Sequence, residues 1–165
     1  MSVIKLQTLI KAKRNIVFDL SRSIDLQSTF VTSSNEKAVA GRTSGLIRLG
    51  ETVTYRGKHL GVWQHLTSRV TALDRPHFFA DEMEKGAFKS LRHEHHFIAT
   101  KEGTLMKDVF NFQSPLGLLG KLANALFLKA YMTNFLRNRN MVIKEFAESG
   151  RWKELLPENN AEYYT

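Results

Sequence analysis

The stretch SPLGLLGKLANALFLKAYMTNFLRNRNMVIKEFAES, residues 114–149, decides how the rest of the chain must be arranged. Its apolar residues Leu116, Leu119, Leu122, Ala123, Leu126, Phe127, Ala130, Phe135, Leu136, Val142, Ile143 and Phe146 recur at steps of three and four, the spacing of one face of an α-helix. Ser114 can cap the free N–H groups of the first turn, and Pro115 suits the first helical position, where a missing N–H costs nothing. Gly150 supplies the stop. A helix of about 35 residues reaches roughly 50 Å, longer than most globular helices, so a broad surface has to cover its apolar stripe.

The cover is read from the preceding residues. After Thr32 the chain breaks into short segments punctuated by Gly41, Gly45, Gly50, Gly57, Gly61, Gly86 and Gly103, with Pro76 the one proline of that region, which is the pattern of an antiparallel meander. Strands are predicted over residues 36–40, 52–58, 62–73, 77–83, 88–100 and 104–112, and a further strand over residues 2–10. Between that first strand and the meander, two short helices are predicted over residues 15–21 and 24–31, with Asn15 and Ser23 as caps. One strand, two short helices, six antiparallel strands and a long helix make an α+β fold with the helix on one side of the sheet. Seven strands with native twist curl around such a helix, and a ligand can sit between the concave face and the helix.

At 165 residues the chain is long enough for one domain, residues 1–165, burying about 70% of its unfolded surface. The lack of cysteine excludes a disulfide framework, a thiolate metal site and a cysteine nucleophile, and suits a cytoplasmic setting. Residues 1–11 lack the apolar core and cleavage site of a signal peptide, so no export is expected. The net charge is +8, but the basic residues are scattered and no nucleic-acid-binding signature is present, so no nucleic-acid partner is expected. Lys121, Lys129, Arg137, Arg139 and Lys144 fall mostly outside the apolar stripe and read as a solvated helix face. Residues 116–136 are largely apolar, yet Lys121, Asn124, Lys129, Thr133 and Asn134 interrupt them, so no membrane insertion is expected. Nothing in the pattern fixes an oligomeric state.

The last hairpin orients the sheet. If Glu102-Gly103 is a two-residue loop, Phe97 lies opposite Asp108, His95 opposite Phe110 and His93 opposite Phe112. One face then carries Leu91, His93, His95, Phe97, Ala99, Met106, Asp108, Phe110 and Phe112. The other carries Arg92, Glu94, His96, Lys107 and Asn111. The first set is far more apolar and should face the helix, whereas a three-residue loop would mix the two sets. A turn at Lys85-Gly86 brings Phe78 and Ala80 inward by the same logic. His93, His95 and Asp108 are then polar groups on an apolar wall, and burying them is costly unless they are partnered. Asp108, diagonal to His95, either bonds to it across the strands as a self-satisfied structural pair or meets the polar end of a ligand.

Several stretches together resemble the SRPBCC superfamily. They are Gly50-Glu51-Thr52-Val53-Thr54, Arg69-Val70-Thr71 with Arg75-Pro76, Phe88 with His93-Glu94-His95-His96-Phe97, Thr104-Leu105-Met106-Lys107-Asp108, and Ser114-Pro115-Leu116-Gly117. The resemblance spans nearly the whole chain. It is greatest to the bacterial members labelled cell-division-associated or polyketide-cyclase-like. It implies the helix-grip fold shared with START lipid-transfer domains and pollen-allergen proteins, with an apolar cavity between sheet and helix. It does not imply one activity, because the superfamily holds lipid and hormone binders as well as cyclases.

The expected partner is a small hydrophobic or amphipathic molecule, lipid- or polyketide-like. His93, His95 and Asp108, with Arg69 or His59, would orient its polar group, and Phe78, Phe97, Met106, Phe110 and Phe127 would line the cavity. An alternative is a cyclase or lyase in which His95 and Asp108 move a proton while Arg69 or Tyr55 polarises a carbonyl. A third is an interaction module with a vestigial pocket, whose basic surface meets an acidic partner. No cofactor is expected. His93 and His95 have the spacing of two metal ligands on a strand, with Asp108, His59 or His65 as a third, but the resemblance implies no metal. His93-Glu94-His95-His96 is not the helical zinc-protease motif, and neither a Gly-x-Ser-x-Gly elbow nor a phosphate-binding glycine loop is present. Residues 41–45 read as a flexible connection suited to gating the cavity.

Overall fold

In a computed structural model of the chain, which describes residues 1–29, 35–114 and 123–156, the meander is a single antiparallel sheet. Its strands are β1 (Ser2–Ile10), β2 (Lys37–Gly41), β3 (Thr52–His59), β4 (Val62–Asp74), β5 (Phe78–Lys85), β6 (Ser90–Thr100) and β7 (Gly103–Gln113). The spatial order is β1-β7-β6-β5-β4-β3-β2, so each meander strand pairs with its chain neighbour and only β1 arrives from far away. It does so in unbroken register, from Ser2 opposite Phe112 to Ile10 opposite Thr104.

Two short helices, α1 (Arg14–Ser21) and α2 (Ile24–Ser28), carry the chain from one edge of the sheet towards the other. Ser23 caps α2 by accepting the Leu26 N–H at 3.2 Å. The expected cap at Asn15 does not form, because α1 starts one residue earlier, behind Lys13. The end predicted for α2 at residue 31 lies outside the described residues.

The long helix is α3 (Ala123–Ser149), with Gly150 in the left-handed conformation as its stop. The turns predicted over residues 115–122 lie outside the described residues. Side-chain hydrogen bonds from α3 to the body of the fold gather in its second half. Arg139 donates to the Ser21 carbonyl, Asn140 to Asp108 and Thr8, and Lys144 to the Leu9 carbonyl, while Glu148 accepts the Lys11 N–H. Among the described residues no helix is long and apolar enough to cross a membrane.

The hairpin registers differ from expectation in instructive ways. The β6–β7 loop is Lys101-Glu102, one residue earlier than predicted, and Thr100 pairs with Gly103. Both strands move by one, so the division of faces survives while the partners change. His95 now lies directly opposite Asp108, His93 opposite Phe110 and Phe97 opposite Met106. Apart from Ala99 towards the hairpin end, the expected inward set is buried.

The β5–β6 connection is longer than the two-residue turn expected at Lys85-Gly86. The pairing is Phe78 with His96, Phe79 with His95 and Asp81 with His93. Phe79 and Asp81 therefore point inward. Phe78 points outward, against the His96 ring at 4.8 Å, and Ala80 shares that outer face, although it is small enough to be fully covered.

The apolar side chains pack as three clusters. Phe18, Phe79, Phe97, Met106, Ile143 and Phe146 belong to one, Ile4, Leu91, Phe110, Phe112, Met132 and Leu136 form the second, and Ile24, Ile47, Val53 and Val70 the third. Members of all three border a cavity between the sheet and α3.

Candidate functional site

The cavity has two chambers that share Glu36, Tyr55, Leu66, Met132 and Phe135 as walls. The inner one encloses about 120 Å³ and ends on Asp81, His93, His95 and Arg139, with Phe79, Leu91, Phe110 and Leu136 around them. The outer one encloses about 320 Å³ and is walled by His59, Leu60, Phe88, Phe127, Leu128 and Tyr131 among others.

The polar end of the inner chamber is built by register. Asp81 on β5 faces His93 on β6, and His95 on β6 faces Asp108 on β7. His93 Nε2 bonds Asp108 Oδ1 at 2.9 Å. His95 Nδ1 lies 2.9 Å from the same oxygen, but the contact is too bent to be a hydrogen bond, and His95 Nε2 is 3.4 Å from Asp81 Oδ1. From α3, Asn140 Nδ2 donates to Asp108 Oδ2 at 2.7 Å, and Arg139 Nη1 stands 3.7 Å from Oδ1. Phe79 stacks on the His95 ring at 4.1 Å and Phe110 meets His93 edge-on at 5.1 Å. His95 and Asp108 are each 1% exposed. Asp81, equally deep in the sheet, leaves 24% of its side chain uncovered, and that opening is the cavity itself.

Burial alone would raise the pKa of Asp108, yet the hydrogen bond from His93 and the close approach of His95 outweigh it and hold the carboxyl well below its ordinary value. Asp81 follows the same pattern. Burial pushes it up, but the bond to His95 and the nearby His93, His95 and Arg139 charges leave it lowered. His93 moves the other way from most paired histidines. Burial, with His95 beside it, takes it down to about 4 despite the pull of Asp108. Near neutral pH the cluster is thus two carboxylates and an uncharged His93, with a guanidinium at the edge. Such a group can orient a polar head, pass a proton or hold a cation.

In the outer chamber His59 bridges the sheet and the helix. Its Nδ1 meets the Tyr131 hydroxyl at 2.9 Å and its Nε2 meets Glu36 Oε1 at 3.0 Å. Tyr55, common to both chambers, has a buried hydroxyl with no hydrogen-bond partner among the described residues, and burial, then Glu36, raises its pKa.

Of the residues singled out from sequence, His93, His95 and Phe110 line the inner chamber, and His59 and Phe127 the outer, where Phe127 is 56% exposed. Asp108 stands behind the histidines and does not border the space. Phe97 and Met106 pack within solid core, among Phe18 and Phe79. Two expectations are corrected by the register. Phe78 lies on the outer face, and so does Arg69, which is exposed and donates to Glu84 and to the Gly50 carbonyl while its neighbours Ser68 and Val70 border the cavity. Arg139, expected on the solvated face of the helix, is 6% exposed and points into the fold. Asp81 was missed because its face depends on the length of the β5–β6 connection.

No family model matches the chain, and no significant match was found among the curated proteins. Solved structures do match. A START superfamily protein from Mycobacterium smegmatis superposes with a TM-score of 0.68 at 8% identity, covering 89% of this chain and 97% of that one. Ginseng major latex-like protein 151 from Panax ginseng gives 0.66 at 16% identity over 88% and 97%. TTHA0849 from Thermus thermophilus gives 0.67 at 12% identity over 86% and 97%. The chain has the helix-grip fold of these structures, and at these identities the fold is what is shared.

Proposed function

We propose that the chain binds a small hydrophobic or amphipathic molecule, lipid- or polyketide-like, between the sheet and α3. The observation that carries this reading is the pair of chambers, mainly apolar along their walls and polar at one end. The outer chamber is at the lower bound of the roughly 300–1,000 Å³ usual for ligand pockets, so the guest is modest in size or extends from one chamber into the other. Apolar burial supplies most of the affinity, and Asp81, His93 and His95 fix the orientation of a polar group. The occurrence of the same fold in a START superfamily protein supports the reading.

The test is native mass spectrometry on freshly purified protein, together with titration of the fluorophore 1-anilinonaphthalene-8-sulfonate. Leu66 borders both chambers, so Leu66→Trp should fill the passage and weaken fluorophore binding at least tenfold while the melting temperature holds. Absence of both a co-purifying mass and fluorophore binding would overturn the proposal. So would binding that Leu66→Trp leaves unchanged.

A further inference from the structure

A carboxylate oxygen of Asp81 and one ring nitrogen each from His93 and His95 lie within 4.8 Å of one another at the inner end of the cavity. The strands place them there. Asp81 sits across from His93, and His95, two residues further on, shares the same face. Asp108 then decides which nitrogens are free. His93 donates its Nε2–H to Asp108 Oδ1, which leaves Nδ1 with a bare lone pair. His95 Nδ1 is 2.9 Å from the same anionic oxygen without a hydrogen bond to it, and the other ring nitrogen, Nε2, is the one that reaches Asp81.

That nitrogen is 3.4 Å from Asp81 Oδ1, a separation that either a hydrogen on Nε2 or a metal ion held between the two atoms would satisfy. Two donors each about 2.1 Å from one tetrahedral ion are about 3.4 Å apart. Asn140 holds the second oxygen of Asp108, so the supporting carboxylate is itself fixed. A buried acid behind ligating histidines is the usual outer support of a metal site.

We propose that Asp81, His93 and His95 bind a divalent first-row transition-metal ion whose remaining coordination positions open into the cavity. Two imidazoles and one carboxylate are a donor set suited to zinc or to iron(II). A metal there would give the guest's polar group a Lewis acid to meet. The site does not require an organic guest, so this proposal and the binding reading fail independently.

The test uses the full chain after chelator treatment, without added guest. Cobalt(II) is titrated and followed by its visible d–d absorption, and zinc(II) is titrated by calorimetry. One ion per chain is expected. Asp81→Asn and His93→Gln should weaken binding by more than the roughly 100-fold seen for residues that only support ligands, with far-ultraviolet dichroism unchanged. His96→Gln, on the outer face, should leave it as it was. The proposal is overturned if folded wild-type protein gives no d–d band and no zinc heat, which would mean that the contact between His95 and Asp81 is an ordinary hydrogen bond. It is equally overturned if binding survives both Asp81→Asn and His93→Gln, which would place the ion on other histidines.

Discussion

His93 is surrounded by charged or titratable groups: Asp108 on β7, Asp81 on β5 and His95 along its own strand, with Arg139 on α3 standing near Asp108 at the same end of the cavity. Its folded pKa of about 4, against the ordinary 6.5, means the folded chain keeps the ring neutral where the unfolded chain protonates it. Between those two values the unfolded state binds more protons, so stability falls as pH falls, by about 3 kcal/mol from this group once pH is below both. Asp108 is also depressed, and its contribution is present above its unfolded value and disappears as pH drops through its lower folded one. It therefore acts at more acid pH than His93. The urea midpoint of metal-free protein should decline between pH 7 and pH 5, and His93→Gln should flatten that decline. Equal slopes for both proteins would mean that His93 is not held neutral.

At the scale of the strands and helices, alternation was readable and loop length was not. A side chain's face has a period of two, so moving the β6–β7 turn by one residue on each strand preserved every face, and the histidine wall was legible in the sequence. The β5–β6 connection changes the pairing by an odd number, and β5 offers no pattern to correct it. Phe78 and Phe79 are both aromatic, and acidic residues follow on both faces at Asp81, Glu82 and Glu84. In α3 the apolar stripe was followed from Leu136 to Val142, but the inward face there is Leu136, Arg139, Asn140 and Ile143. A search for apolar spacing passes over the polar residues that reach the site.

The β7 start makes a sharper demand. Gly103 has φ +138°, and a Cβ there would stand 2.2 Å from the Ile10 carbonyl oxygen and 2.8 Å from Lys11 Cα, both backbone atoms. Gly103→Ala should cost more than about 2 kcal/mol by urea unfolding. Gly86→Ala should cost clearly less, because the nearest atoms, Met83 Sδ and Leu66 Cδ1, belong to side chains and not to backbone. A smaller loss for Gly103→Ala than for Gly86→Ala would contradict this account of the hairpin.

For the molecule as a whole, the bonds that bind α3 to β1, β7 and α1 lie between Arg139 and Glu148, whereas Phe127, Leu128, Tyr131, Met132 and Phe135 border the outer chamber, with Tyr131 reaching across to His59. Over its described length the helix is thus bonded to the body of the fold mainly through its second half. Amide hydrogen exchange should therefore be slowest around residues 139–149 and measurably faster around 127–136, and uniform protection along the helix would argue against any such asymmetry. Given that gradient, the residence time of the proposed guest would be set by local loosening of the stretch around residues 127–136 rather than by melting, and a variant could be made to release it sooner while remaining as heat-resistant as its parent.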